Sequence, residues 1–504
     1  MSTIRPPKFL FYSKVFHIAL LSVFLIGGVL SSGRSHASRY TPEGLYDPEI
    51  YHLDNGMRVI LNSRHGARNV AIRLDVGIGN FDFSCHKQET AHFLEHLVFT
   101  GTSQHTETEL DELITQHGGE WNAYTYDEST VFEIDIFSEH TDVALKTLSE
   151  IVSDSVITDE NFELSRNIIY REMGGRPSSL RKFLYRHEIV STAVHKSRKV
   201  MFKGSRSYCR NMDALENIEY QDIIDAYAYF YVPNNMTLVI TGDFEPQTIK
   251  DLIRQQFGKL TKQAVERDIP KAQDFNEGPV HFSSSFKPIV SEGSNGGLVF
   301  RTNGYVSPDY YVLVVIEEFL TNRLYESIRA REGLTYAPYA QLIESREDGV
   351  FQLSADVSTK YMDKVLNLIH DEVVKLREGD VTDEDISITI KSLLLNWARG
   401  LESNSSIADY YINYLHEVDL KGGYIDQESY LEGITPQDVR TVVERYLIDS
   451  KMAFLVSKPT LTYNQFFLLL CLTAISLTLL TWRLTKRMHL HIQAIRQTKK
   501  KSHE

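Results

Sequence analysis

Glu89-Thr90-Ala91-His92-Phe93-Leu94-Glu95-His96-Leu97-Val98-Phe99-Thr100-Gly101-Thr102 is the stretch that organises the chain. It holds no Gly or Pro before Gly101, which predicts a helix that stops there. Residues three and four apart share a helix face. His92 and His96 therefore project two imidazoles one turn apart, with Glu95 on the same side. Two imidazoles so presented can hold one zinc ion at about 2.0–2.1 Å, and Glu95 is placed to take a proton from a water at the metal. The order is H-x-x-E-H, the mirror of the commoner H-E-x-x-H. A solvated helix face is the plain alternative. Phe93, Leu94, Leu97 and Val98 speak against it, because they predict a largely buried helix. Buried His and Glu need partners, since an uncompensated polar group in an apolar site costs several kcal/mol. A metal supplies one.

Outward from this helix, period-2 and period-3.6 patterns alternate. Upstream, 50–53, the Asn55-Gly56 turn and 57–61 read as a hairpin, and 69–76 as a further strand. Downstream, 106–117 reads as a helix, 120–126 and 130–137 as strands, and 139–153 as an amphipathic helix. Thr158-Asp159-Glu160 opens a helix that runs to Met173, before Gly174-Gly175. Glu172 stands at its end. A carboxylate there is ordinarily a solvated helix terminus.

At this point the chain resembles the pitrilysin/insulinase family of zinc peptidases, close in layout to mitochondrial processing peptidase subunits and their bacterial relatives. That family pairs H-x-x-E-H with a Glu some 76 residues beyond the second His, at the end of a run like E-R-G-V-I-L-R-E. Ser165-Arg166-Asn167-Ile168-Ile169-Tyr170-Arg171-Glu172 fits the run, with Ser165 in place of its first Glu. The resemblance implies that His92, His96 and Glu172 hold one Zn²⁺ per chain, with Glu95 as the catalytic base. It makes 120–125 an edge strand on which a substrate peptide lies, aligned by Asn122 and Ala123 through β-strand addition. It implies that Arg329 and Tyr336, the family's R-x₆-Y pair, stabilise the oxyanion. From the residues alone, that pair is an ordinary helix-to-strand turn. Glu317 to Asn322 stand where relatives often have Gly and Ser.

The charge of the chain is uneven. Residues 1–42 hold five basic residues and no acid; 483–504 hold seven basic residues and one acid. Between them lie 41 basic and 66 acidic residues, a net charge of −25. So acidic a body repels nucleic acid, and no nucleic-acid partner is expected. The basic N-terminus precedes an apolar run, Val15 to Leu30, and the small residues before Ala37, the layout of an export signal or signal anchor over 1–37. Phe466 to Trp482 is uncharged and apolar, about long enough to cross a bilayer. The basic cluster beyond it predicts a cytoplasmic tail. Cys85, Cys209 and Cys471 are too few for a disulfide framework. Cys85 and Cys209 can pair in an oxidising compartment, but their separation in sequence says nothing about distance.

The expected organisation is α+β, with two similar α/β-layer domains making half of a clamshell. Residues 43–262 form the zinc-binding domain, 263–278 a linker and 279–458 the second domain. A transmembrane helix, 466–482, and a basic tail, 483–504, follow. In the second domain 291–296 is loop by composition. Strands are expected at 297–301 and 349–358, and helices at 310–330, 362–376 and 382–402. The resemblance implies a partner half, in a homodimer or a heterodimer with a second family subunit. The expected function is a single-pass inner-membrane zinc endopeptidase with periplasmic catalytic domains, acting on peptides or short unfolded polypeptides. A non-catalytic scaffold or partner subunit is the alternative.

Overall fold

The hairpin around Asn55-Gly56 forms as expected: β1 (Glu49–His52) pairs antiparallel with β2 (Arg58–Ser63). Gly56 takes φ +88°, a left-handed conformation that favours glycine. This is a computed structural model, which describes residues 40–209 and 213–501. The expected export signal, 1–37, lies outside the described residues.

The first half continues with β3 (Asn69–Val76), α1 (Thr90–Val98), α2 (Glu107–Thr115), β4 (Glu120–Thr125) and β5 (Thr130–Phe137). Then come α3 (Thr141–Ser153), α4 (Asp159–Glu172), α5 (Ser179–Arg186), α6 (Ala193–Met201), α7 (Tyr220–Phe230), β6 (Met236–Gly242) and α8 (Pro246–Phe257). The strands form one sheet in the order β1-β2-β6-β3-β5-β4, with only β2 and β6 parallel. All seven residues of β6 are buried, because this central strand is covered on both faces. Val70, Ile72 and Leu74 of β3 face Phe93, Leu97, Leu148, Ile169 and Phe257 from the helices.

The second half holds β7 (Val280–Val290), β8 (Gly293–Asn303), α9 (Tyr310–Leu324), β9 (Tyr339–Glu344) and β10 (Asp348–Ser358). After these come α10 (Met362–Arg377), α11 (Asp383–Gly400), α12 (Asn404–Asn413), α13 (Leu415–Lys421), α14 (Gln427–Glu432), α15 (Pro436–Tyr446), β11 (Met452–Leu461) and α16 (Tyr463–Lys501). Its sheet, β7-β11-β8-β10-β9, repeats β2-β6-β3-β5-β4 strand for strand, including the single parallel pair. The chain is therefore a mixed α/β fold with two sheets of shared topology.

Two expectations are corrected here. Residues 293–296, expected as loop, are the start of β8. The glycines serve close approach rather than a turn: a Cβ at Gly297 would lie 1.9 Å from Leu353 O, and one at Gly296 would lie 2.4 Å from Met362 Sδ. The helix expected to reach 330 ends as α9 at Leu324, and Tyr325–Arg331 continues as a wider, π-type turn.

The two halves share a core. The outer face of the first sheet, through Ile60, Ala71 and Val239, packs against Ile407, Ala408, Tyr410 and Tyr411 of α12. Within this contact Arg73 of β3, only 2% exposed, meets Asp135 at 2.8 Å and Glu133 at 3.3 Å on its own sheet, and Asp409 of α12 at 2.6 Å. Residues 263–278 carry no helix or strand but are not loose. Arg267 grips Asp82 with two hydrogen bonds, and Phe275 is buried beside Met201 and Ala453. Cys85 and Cys209 are joined in a disulfide, which ties the segment before α1 to the loop after α6. Helix α16 follows β11 almost directly, and its apolar stretch, Tyr463–Ala494, is long enough to cross a membrane, with no buried residue in its most apolar window.

A buried acid near the junction gives the fold a pH dependence. Glu417 of α13 is 1% exposed and accepts hydrogen bonds from Tyr311 Oη (3.2 Å) and Ile425 N (3.1 Å). Burial raises its pKa from 4.5 to about 7, against the smaller opposing effect of those hydrogen bonds and of Lys421. The folded chain then holds a proton that the unfolded chain releases as pH rises from 4.5 to about 7, so stability falls across that window. Glu417→Gln is expected to flatten this part of the profile and to raise the melting temperature at pH 8. Thermal unfolding of both proteins at pH 5 and pH 8 measures it; parallel pH profiles would contradict the assignment.

Candidate active site

Helix α1 divides along its length. Ala91, Phe93, Leu94, Leu97 and Val98 are buried, while His92, Glu95 and His96 share the half-buried opposite face. The helix ends at Val98, three residues before the Gly101 expected to stop it. Gly101 has φ +133°, and a Cβ there would sit 3.0 Å from His105 O.

Helix α4 brings the distant carboxylate in. Thr158 caps it by accepting from Asn161 N, and Phe162 stacks on Phe93 of α1 with ring centroids 4.7 Å apart. The Arg166 guanidinium lies beside the pair, 4.5 Å from the Phe162 ring centre and 5.9 Å from that of Phe93. Ser165 and Ile169 are buried on the inward face, so Glu172 arrives in the last turn, half exposed, over the two imidazoles. Glu172 Oε2 lies 3.6 Å from His92 Nε2 and 3.4 Å from His96 Nε2.

These three donors fit a zinc ion. Arms of about 2.0–2.1 Å in a tetrahedron put neighbouring ligand atoms about 3.3–3.4 Å apart, close to the separations found. All three donor atoms lie within 4.8 Å of one another. Two neutral imidazoles and one carboxylate suit zinc and leave a fourth position for water or substrate. In the metal-free chain, burial works against both imidazolium ions. At His92 the hydrogen bond to Glu89 and the charges of Glu89, Glu95 and Glu172 outweigh it, and the pKa is raised. At His96 burial, joined by the charge of His92, prevails and lowers it.

Glu95 has a fixed orientation. Thr125 Oγ1, at the end of β4, donates a 2.6 Å hydrogen bond to Glu95 Oε2. That bond joins α1 to the edge strand, since among the described residues β4 pairs only with β5 and its other side is open. Asn122 lies on this strand, exposed, with Nδ2 donating to Tyr124 Oη at 2.8 Å; Ala123 faces the core. Tyr231 is buried close enough to feel the charge of Glu95. Its buried hydroxyl has no hydrogen-bond partner among the described residues, and burial together with the charge of Glu95 holds its pKa well above the ordinary value.

Arg329 and Tyr336 stand elsewhere. Arg329 lies in the π-type turn, donates to Tyr336 O at 2.7 Å and stacks 4.2 Å from the Tyr336 ring centre. The Tyr336 side chain is almost free, at 79% exposed. Among the described residues neither makes a hydrogen bond or ion pair to His92, Glu95, His96 or Glu172.

Sequence reasoning passed over Glu89 and Thr125. Glu89 Oε2 sits 3.1 Å from His92 Nδ1, and its position three residues before His92 was the available signal. Thr125 had none, because its contact depends on how the sheet meets α1.

Comparison with known proteins agrees with this architecture. Residues 58–201 match the family model described as insulinase (peptidase family M16), and residues 217–393 match the one described as peptidase M16 inactive domain. The "uncharacterized zinc protease YmxG" of Bacillus subtilis (strain 168) is 21% identical over 363 residues, covering 71% of this chain and 85% of that protein. The "probable mitochondrial-processing peptidase subunit beta" of Arabidopsis thaliana is 22% identical over 432 residues, covering 82% and 79%. The crystal structure of the periplasmic protease PqqL from Escherichia coli superposes with a TM-score of 0.66 at 17% identity, covering 83% of this chain but only 48% of PqqL. The likeness to PqqL shows the fold, and this chain spans about half of it. With both halves matched in order and the H-x-x-E-H helix closed by Glu172, the chain belongs to the insulinase (M16) family of peptidases.

Proposed function

We propose that this chain is a membrane-anchored zinc metalloendopeptidase that hydrolyses peptides or short unfolded polypeptides. The observation that carries the reading is the convergence of His92, His96 and Glu172 beside a base that is tied to an open sheet edge. Zinc held by those three residues, one ion per chain, would acidify a water at the open position and polarise the substrate carbonyl. Glu95 accepts the proton of the attacking water and returns it to the leaving amine. Thr125 holds one carboxylate oxygen of Glu95, which leaves the other to move the proton. The free edge of β4 takes the substrate as an added strand; Asn122 and Ala123 align it through main-chain hydrogen bonds that largely ignore side chains.

Arg329 and Tyr336 are assigned to oxyanion stabilisation, and in one chain they stand apart from Glu95. A second half must bring them, most simply another copy of this chain, with a second family subunit as the other arrangement. That this chain spans about half of PqqL supports the pairing. The apolar α16 anchors the assembly, the basic residues beyond it keep the tail cytoplasmic, and the Cys85–Cys209 disulfide suits an oxidising periplasmic side.

A complementation assay tests the shared site. Glu95→Gln and Tyr336→Phe should each be nearly inactive alone. Mixed and reassembled, they should recover about a quarter of wild-type activity, since half the dimers are hybrids and each hybrid has one intact site. No recovery from hybrids shown to form would contradict sites built from two chains.

One observation favours a second reading, a non-catalytic partner subunit: the family model over residues 217–393 is described as an inactive domain. The metal-binding candidates His92, His96 and Glu172 all fall outside that range, within 58–201. Zinc content together with cleavage of a short unstructured peptide separates the two readings.

A further inference from the structure

The two imidazoles are supported unequally. His92 Nδ1 has Glu89 Oε2 at 3.1 Å, whereas no hydrogen bond to His96 Nδ1 is found among the described residues. The contact is sheltered, with the His92 and Glu89 side chains 28% and 29% exposed. Glu89 is the residue immediately before α1 and makes no side-chain capping bond to the helix backbone. Its carboxylate is therefore committed to the imidazole. It stands at the positive end of the helix dipole, and among the described residues no lysine or arginine pairs with it. On α4 the position two turns below Glu172 is Ser165, 2% exposed, so no carboxylate reaches the site from there.

We infer that Glu89 is the positioning residue of the metal site, a role that rests on the zinc-peptidase reading. It accepts Nδ1–H from His92, which fixes the tautomer whose lone pair sits on Nε2, the nitrogen facing Glu172. It also holds the ring plane and raises the basicity of the ligating nitrogen. The support of this site comes from the N-terminal end of the metal helix.

The test uses the full-length chain in detergent, with zinc ion alone titrated against a chromophoric chelator. Glu89→Ala is expected to weaken zinc binding about 10–100-fold, the usual cost of losing an outer carboxylate. Glu89→Gln keeps an acceptor oxygen without the charge and should lose less. Glu89→Ser introduces a helix-capping side chain that cannot reach His92, and should behave like Glu89→Ala. In ¹⁵N spectra of the metal-free proteins, taken at a pH high enough to keep the imidazole neutral, His92 should be the Nδ1–H tautomer in wild type and lose that preference in Glu89→Ala. Zinc affinity of Glu89→Ala within twofold of wild type would overturn the inference, and so would a Glu89→Ser variant as tight as wild type. A wild-type chain that binds no zinc would instead sink the zinc-peptidase reading.

Discussion

Glu95→Gln is expected to keep zinc and to lose peptidase activity. The substitution preserves the shape of the side chain and leaves an oxygen to accept the Thr125 hydrogen bond, so the α1–β4 junction stays intact. The three metal-binding candidates are untouched, since Glu95 is not among them. What disappears is the only group on this face of α1 placed to carry a proton from water to amine. General base and general acid roles contribute about 10²–10⁴-fold each, and both are lost together. The expected fall in kcat is at least about 10³-fold, with substrate binding little changed because the sheet edge is unaltered. Peptide cleavage assayed beside zinc content on one sample checks it. Near-normal cleavage by a zinc-loaded variant would rule out Glu95 as the base.

His92→Ala is expected to lose both metal and activity. Removing one of three protein donors leaves His96 and Glu172 alone, and also frees Glu89 from its partner. The loss of affinity should exceed the roughly 10–100-fold cost of removing an outer partner. After dialysis against a mild chelator the variant should retain almost no zinc while wild type retains one per chain. The fold should survive, because the buried face of α1, from Ala91 to Val98, is unaffected. A variant that keeps stoichiometric zinc would remove His92 from the ligand set.

Much of the site was legible because helical spacing is short-range. His92, Glu95 and His96 need only a helix to share a face, and the helix was marked by its apolar residues and by Gly101. Glu172 was not legible from spacing. Its arrival depends on the Phe93–Phe162 stack between α1 and α4, and only a resemblance to a known motif pointed to it. Strand β3 matched its expected bounds because alternation and turn residues agree there. In contrast, the glycines at 293–297 looked like loop because glycine marks both turns and close backbone approach. Only the neighbouring Leu353 and Met362 distinguish the two. The Cys85–Cys209 bond and the Thr125–Glu95 contact depend on tertiary placement, which local patterns do not encode.

The second half repeats the strand order of the first, yet the place equivalent to α1 holds α9. There Glu318 accepts from Ser392 of α11 at 2.7 Å, and α9 carries no histidine. Under the proposed function one topology serves two roles, with Arg329 and Tyr336 supplied to the site by a second half.

Everything turns on Glu172 reaching across from α4 to close the pair of imidazoles. The most direct measurement is a zinc titration of the metal-free, full-length chain and of Glu172→Ala, read by competition with a chelator of known affinity. The zinc-peptidase reading predicts one tight site per wild-type chain and its loss in the variant. Equal stoichiometry and affinity in both proteins would contradict it.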